Sequence, residues 1–454
     1  MVFDSVPADV VGLCRDLRRA GFDAHLVGGG VRDLMLGRPV HDWDVATSAL
    51  PGQVQQLFRK TIPIGIKHGT VAVVLSGGRV VEVTTYRGEG AYSDGRHPDT
   101  VTFVPTLDED LQRRDLTINA MALDPVGHRL VDPIGGAADL RRRMIRAVGD
   151  PRERFAEDGL RTMRAVRFAA VLEFAIDPAT LAAIGDALGS FRKVSHERVR
   201  DELLKLLEAR RPSLGIDLMQ RSGLLAEVLP ELLANRGVTQ NRYHAEDVYT
   251  HSLNACDATE GDAVLRLAAL LHDVGKPRTA APHEERPGEQ TFHGHEKLGA
   301  SICRQVGRRL RLSNEQTQRI CHLVQHHNFV LQGWSSAALR RLIRRVGVEH
   351  LDDLFALRRG DLVGRDGPDQ LPELEQMRER IDELLRARPP LEPSQLAIDG
   401  HRIMQHLSVP PGPLVGRILG QLMERVLDDP ALNTEGRLLK LVEALARDDG
   451  RPDR

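Results

Sequence analysis

The hydrophobic period of this chain changes once, near Pro151, and that change limits what it can fold into. Before it, strand-like and helical segments alternate. Residues 10–19 read as a helix and 24–28 as an apolar strand ending in three glycines. A second short strand covers 44–46, and 48–58 is helical. The β-branched runs 71–75 and 80–85, joined at Gly77-Gly78, read as a hairpin. After Pro151 the strand signal fades. Segments 154–170, 178–188, 195–207 and 214–222 repeat apolar residues at three-to-four spacing. The expected class is α+β: a mixed sheet with helices, then an all-α remainder. At 454 residues the chain exceeds one core. Breaks near Asn235-Arg236-Gly237 and at Gly367-Pro368-Asp369 divide it into 1–150, 151–235, 236–367 and 368–454.

Charge narrows the function classes only by excluding extremes. Lys and Arg total 62 against 64 Asp and Glu, a net −2, which excludes a histone-like binder and a polyacidic tail. It does not exclude nucleic acid, because charge can be segregated. Between 304 and 345 nine Arg face only Glu315, a local charge of +8. That excess reads either as an RNA phosphate footprint or as solvated helix faces. Cys14, Cys256, Cys303 and Cys321 lie far apart with no C-x-x-C, so neither a disulfide scaffold nor a Cys zinc site is expected. The opening residues carry an early Asp and no long apolar run, and no stretch approaches 20 apolar residues. A cytoplasmic location with no membrane partner is expected.

The most informative stretch is HLVGGGVRDLMLGRPVHDWDVAT, residues 25–47. A strand runs into Gly28-Gly29-Gly30 and a helix follows. Glycines let backbone approach phosphate oxygens, and a helix N-terminus supplies free N–H donors. Asp42 and Asp44 are two apart, hence on one face of a strand, where paired carboxylates suit Mg²⁺ shared with a phosphate substrate. Glu82 in the later strand is a third candidate acid. Alone, each feature also reads as a solvated surface turn. Together they resemble the nucleotidyltransferase signature of the DNA polymerase beta superfamily. V-G-G-x-V-R-D, L-G-R-P-V, D-x-D and A-T-S match the bacterial, class II tRNA nucleotidyltransferase and poly(A) polymerase family. The resemblance implies a polymerase-beta-like head followed by an all-α neck, an HD domain and a tail. It places Gly28, Gly29, Arg32 and Asp33 at phosphate and Asp42 and Asp44 at two Mg²⁺ ions.

Further matches follow. RRDLTINA, with Arg114, Asp115 and Asn119, resembles the family's ribose-recognition motif; Asp115 reads equally as a cap. In EDGLRTMRAVR the resemblance implies that Asp158 and Arg161 pair with the incoming base, Arg164 and Arg167 extending that face. A carboxylate accepting from an exocyclic amine, with Arg donating to ring acceptors, separates cytosine and adenine from uracil and guanine. The same residues also read as a helical salt bridge. Ser195-His196-Glu197-Arg198 with Glu202 reads as structural. The polar, Gly-rich segment 87–99 reads as a mobile loop and resembles the loop through which the family switches from C to A.

The second block reads YHAEDVYTHSL…LLHDVGKP…FHGHEKLGA…HLVQHHNF…LRRGDLVGR. N and O donors from separate helices make good divalent-metal chemistry. This block resembles the HD phosphohydrolase superfamily, which implies His251, His272, Asp273 and Asp361 as ligands. His295 and His326 sit where richer members place more. Mn²⁺, Ni²⁺, Co²⁺ or Mg²⁺ would suit, with phosphatase or 2′,3′-cyclic phosphodiesterase activity or a vestigial site. The resemblance covers nearly the whole chain and implies template-independent addition of C, C and A to tRNA from CTP and ATP, with no DNA partner. The rivals are an A-only adding enzyme or poly(A) polymerase, and an HD phosphohydrolase whose head only binds.

Overall fold

A computed structural model describes residues 2–89, 101–239, 246–286, 289–364 and 369–449. The chain divides into two compact units, 1–233 with 306–312, and 234–305 with 313–454. Their boundary at 233 falls close to the break expected at 235. Head and neck share one unit; the HD block and tail share the other.

The first unit is built on a seven-stranded sheet. Its strands are β1 (Ala24–Val27), β2 (Asp44–Thr47), β3 (Thr61–Gly65), β4 (Thr70–Val74) and β5 (Val80–Thr85). Beyond a separate pair, β6 (Arg87–Glu89) with β7 (Val101–Phe103), come β8 (Ala122–Asp124) and β9 (Arg129–Val131). The spatial order is β3-β4-β5-β2-β1-β8-β9. The expected hairpin is present as antiparallel β4 and β5. β2 runs parallel to β5, with Asp44 opposite Glu82. One face of the sheet, through Val27, Ala46 and Ala122, packs with Tyr86, Leu107 and Leu111 in one core. Along β5, Val81 and Val83 are buried while Glu82 is exposed, so alternation leaves the acid on the open face.

Two local expectations change. The helix expected from residue 48 starts at Pro51, because proline suits the first helical position and Gln53 caps the backbone of Leu50. The segment expected as one helix over 154–170 is two, Pro151–Glu157 and Leu160–Leu172. The break falls at Asp158, whose backbone is extended, and Gly159 follows it in a tight contact. A Cβ on Gly159 would stand 2.5 Å from the carbonyl O of Ser190 and the backbone N of Phe191. Only glycine permits that approach.

The second unit is helical. Val248–Ala258 and Ala263–Leu271 pack against Leu351–Val363, and Asn314–His326 packs on the last two. Its core is supplied by buried Leu265, Leu267, Leu270, Leu323, Leu354 and Leu357. In the tail, Pro413–Asp428 opens with its proline at the first helical position. The four cysteines are buried and form no disulfide. No helix among the described residues is long and apolar enough to cross a membrane. Most of the expected loop, residues 90–99, lies outside the described residues.

Candidate active site and metal centre

The head presents its acids beside the glycine turn. Gly28 adopts φ +74°, and a Cβ on it would lie 3.3 Å from Arg114 Nη1 and 3.4 Å from Asp44 Oδ2. A side chain would fill the corner between a cation and a carboxylate, so the turn is bare for a steric reason. Asp44 starts β2. Asp42 lies before the strand rather than in it, exposed, with Trp43 buried between them. Burial raises the Asp44 carboxyl to about 6, helped by Glu82 and Asp42 and opposed by Arg114. Asp44 beside Glu82, with Asp42 two residues before it, would suit a divalent cation, whose charge would relieve that crowding.

Asp44 and Glu82 line a pocket of about 440 Å³ together with Asp158, Arg161, Arg164 and Arg198. The glycine turn and the neck helix Leu160–Leu172 are joined behind it by a polar chain. Arg32 folds back, donating from Nε and Nη2 to both oxygens of Asp33 and from Nη1 to Asn119 Oδ1 at 2.8 Å. Asn119 Nδ2 donates to Asp115 Oδ1 at 3.1 Å, and Arg164 Nε to Asp115 Oδ2 at 2.7 Å. Burial alone would raise the Asp115 carboxyl, but Arg164 and Asn119 hold it well below the usual carboxylate range. Asp115 is thus ion-paired while still facing the pocket.

The expected pair Asp158 and Arg161 shares the pocket but not a helix face. Asp158 occupies the break between helices, with extended backbone. Its carboxylate receives Arg198 Nη1 at 3.2 Å and Nη2 at 2.7 Å, and the Leu160 N–H at 3.0 Å. Arg161 donates to the Glu157 carboxylate and to the carbonyl of Arg154. Arg198 and Glu202, read from sequence as structural, do make internal ion pairs, and Arg198 also lines the pocket. Arg198 fixes Asp158, and Glu202 pairs with Arg167 and Arg164. Their motif was visible; its target, 40 residues upstream, was not.

The second unit gathers its ligand candidates as expected, with one correction. His251 Nε2 lies 3.2 Å from His272 Nε2 and 3.1 Å from Asp361 Oδ1. His272 Nε2 lies 3.1 Å from Asp273 Oδ2, and His295 Nε2 3.5 Å from Asp273 Oδ1. The remaining imidazole is His327, not His326: its Nε2 is 3.7 Å from Asp273 Oδ1. His326 instead packs edge-on against His322, ring centroids 4.7 Å apart. Adjacent residues at a helix end differ by about 100° in direction, so only one can face the cluster. In all four inward rings Nδ1 is tied to a backbone carbonyl, of Gly364, Ala269, Phe292 and Val324 respectively. Each Nε2 is left facing the centre, the arrangement a metal-binding histidine needs. Burial would lower His272, but Asp273 and Asp361 outweigh it and push it up to about 9. Burial holds His327 down to about 4. Two carboxylates and three imidazoles, with His295 at 3.5 Å from Asp273, suit a divalent cation.

Most of the arginine excess at 304–345 is internal. Arg309 pairs with Glu231, Arg319 with Asp353 and Asp262, and Arg341 and Arg344 with Glu424. Arg340 caps the helix Pro413–Asp428 through the carbonyls of Leu427 and Asp428. Arg304, Arg308, Arg311 and Arg345 are exposed, without an ion-pair partner among the described residues.

A sheet carrying acids beside a glycine turn, followed by a helical neck and a separate His-Asp centre, defines a nucleotidyltransferase of the poly(A) polymerase class. Family models agree: a poly A polymerase head domain matches 24–146, the probable RNA- and SrmB-binding site of polymerase A matches 173–235, and an HD domain matches 242–384. The CCA-adding enzyme of Lactobacillus johnsonii is 34% identical over 428 residues, 94% of this chain and 95% of that one. That of Levilactobacillus brevis is 51% identical over 208 residues; the match spans 46% of this chain and about half, 52%, of that enzyme. The Bacillus stearothermophilus CCA-adding enzyme in complex with CTP superposes with a TM-score of 0.69 at 31% identity, covering 97% of this chain and 98% of that one. The chain belongs to the family of CCA-adding enzymes.

Proposed function

We propose that this protein adds C, C and A to the 3′ end of tRNA, without a template, from CTP and ATP. The observation that carries the reading is one pocket. The acids Asp44 and Glu82 and the base-reading candidates Asp158 and Arg161 line the same cavity. A nucleotide lying in it would set its phosphates toward the acids and its base toward the neck. The 3′-oxygen of the RNA bonds to the α-phosphorus, the α–β bridging bond breaks, and pyrophosphate leaves. Asp42, Asp44 and Glu82 would hold the divalent cation, which we assign as Mg²⁺; bound there, it would stabilise charge developing on the phosphate oxygens. Gly28, Gly29 and the buttressing Arg32 and Asp33 shape the phosphate turn. Arg114, Asp115 and Asn119 serve the sugar. Asp158 and Arg161 read the amine-bearing edge, with Arg164 and Arg167 behind them. The activity belongs to the cytoplasm.

Incubating tRNA that lacks CCA with each nucleotide tests the reading. Incorporation of two C from CTP followed by one A from ATP is expected. Failure to use CTP would point to A-only addition, and long A tails on generic RNA to a poly(A) polymerase.

The six-donor centre favours a second activity. We assign His251, His272, His295, His327, Asp273 and Asp361 to a divalent transition metal and a phosphate-ester substrate. Lys276, 2.6 Å from Asp273, lines with Asp273, His295 and His327 a pocket of about 370 Å³. Hydrolysis of a 2′,3′-cyclic phosphate in the presence of Mn²⁺, Ni²⁺ or Co²⁺, abolished in His272→Ala, is the expected result.

A further inference from the structure

Three guanidinium groups converge on one buried aromatic ring in the first unit. Arg167 lies 4.0 Å from the centroid of Phe168, Arg32 4.7 Å and Arg164 5.5 Å. Arg32 belongs to the head, just past the glycine turn; the other three residues lie on the neck helix Leu160–Leu172. The polar chain already described closes around the ring. It runs from Arg32 through Asn119, Asp115 and Arg164 to Glu202, and Glu202 returns to Arg167.

Three cations this close repel one another, and the acids lie at the edges. The negative faces of an aromatic ring offset that repulsion at the centre, and most strongly where the ring is shielded from water. An aliphatic side chain of similar size would fill the space without doing so. Arg32 lies directly beneath the turn, its Nη2 3.6 Å from where a Cβ on Gly29 would be. Arg164 fixes Asp115 on the sugar side. The ring therefore holds, from one point, the floor of the phosphate turn and the carboxylate at the sugar. Asp158 and Arg161 have partners of their own, Arg198 and Glu157.

We propose that Phe168 is a positioning residue: through its three stacked arginines it locks the phosphate turn of the head to the neck helix, setting nucleotide affinity without choosing the base. This rests on the assignment of Arg32 to the phosphate turn, so Arg32→Lys is measured alongside.

The test is steady-state addition by the full-length enzyme on tRNA ending in CC for ATP and lacking CCA for CTP. In Phe168→Leu the KM for CTP and for ATP should each rise about five- to tenfold, the loss of a desolvated cation–π contact. kcat at saturating nucleotide should stay within about twofold, and the ratio of the two KM values should be unchanged. Phe168→Tyr, which keeps the ring, should restore both KM values to within about twofold. Wild-type KM values in Phe168→Leu would overturn the proposal, as would equal impairment in Leu and Tyr variants. If Phe168→Leu does not fold, Phe168→Met gives the same comparison with a more adaptable side chain. An unchanged KM in Arg32→Lys would instead refute the assignment of Arg32; a raised KM there with none in Phe168→Leu would refute the role of the ring alone.

Discussion

Asp44 and Glu82 are register partners on two parallel strands, so their carboxylates share the open face of the sheet. Burial and this neighbour raise Asp44 to about 6. A carboxyl with a raised folded-state pKa binds its proton more tightly folded than unfolded. Stability without a cation then falls as pH rises from about 4 to about 6. Asp44→Asn removes that penalty. In the presence of a chelator at pH 7 it should stabilise the protein by about 1–3 kcal/mol while abolishing addition. Denaturant melts with and without chelator, beside the addition assay, read both effects; a destabilised variant would contradict the account.

Arg198 holds Asp158 by two charge-assisted bonds. Arg198→Met keeps the packing of the stem and frees the carboxylate. CTP and ATP efficiency should fall about tenfold or more, and misincorporation of UTP and GTP should rise. Selectivity identical to wild type would mean that Asp158 needs no such anchor.

His326 and His327 make a paired control at the second centre. His327→Ala should weaken binding of Mn²⁺ or Ni²⁺ by more than about tenfold, measured as metal retained after dialysis, whereas His326→Ala should retain it. The double replacement His272→Ala with Asp273→Ala should empty the centre and leave nucleotide addition at wild-type rate.

Gly159 has a steric role. Gly159→Ala places a methyl 2.5 Å from the backbone of Ser190 and Phe191, and neither can yield as a side chain would. A loss of about 3 kcal/mol in unfolding free energy is expected, with raised KM for both nucleotides because the break carries Asp158. A melt within experimental error of wild type would show that the backbone there relaxes.

Local signals carried most of this far. Period and β-branching gave the hairpin of β4 and β5. The glycine run, the acid pair at 42 and 44 and the HD motif were each compact in sequence, a few residues long. The acid at 82 was legible because it alternates with buried valines. What failed was direction rather than presence. His326 and His327 are equally good ligands by composition, and the end of one helix decides between them.

Residue type and short-range spacing were enough for the α+β layout and for the motifs whose resemblance to a known family implied the class of the protein and the roles of its candidate residues. The partners of those residues came from packing. Asp158 went to Arg198 rather than Arg161, most of the arginine excess went into internal ion pairs, and Arg32 came to lie on the ring of Phe168. Those pairings join residues dozens of positions or more apart. No local pattern encodes which of many arginines will meet a given acid or ring; the docking of whole helices and strands makes that choice.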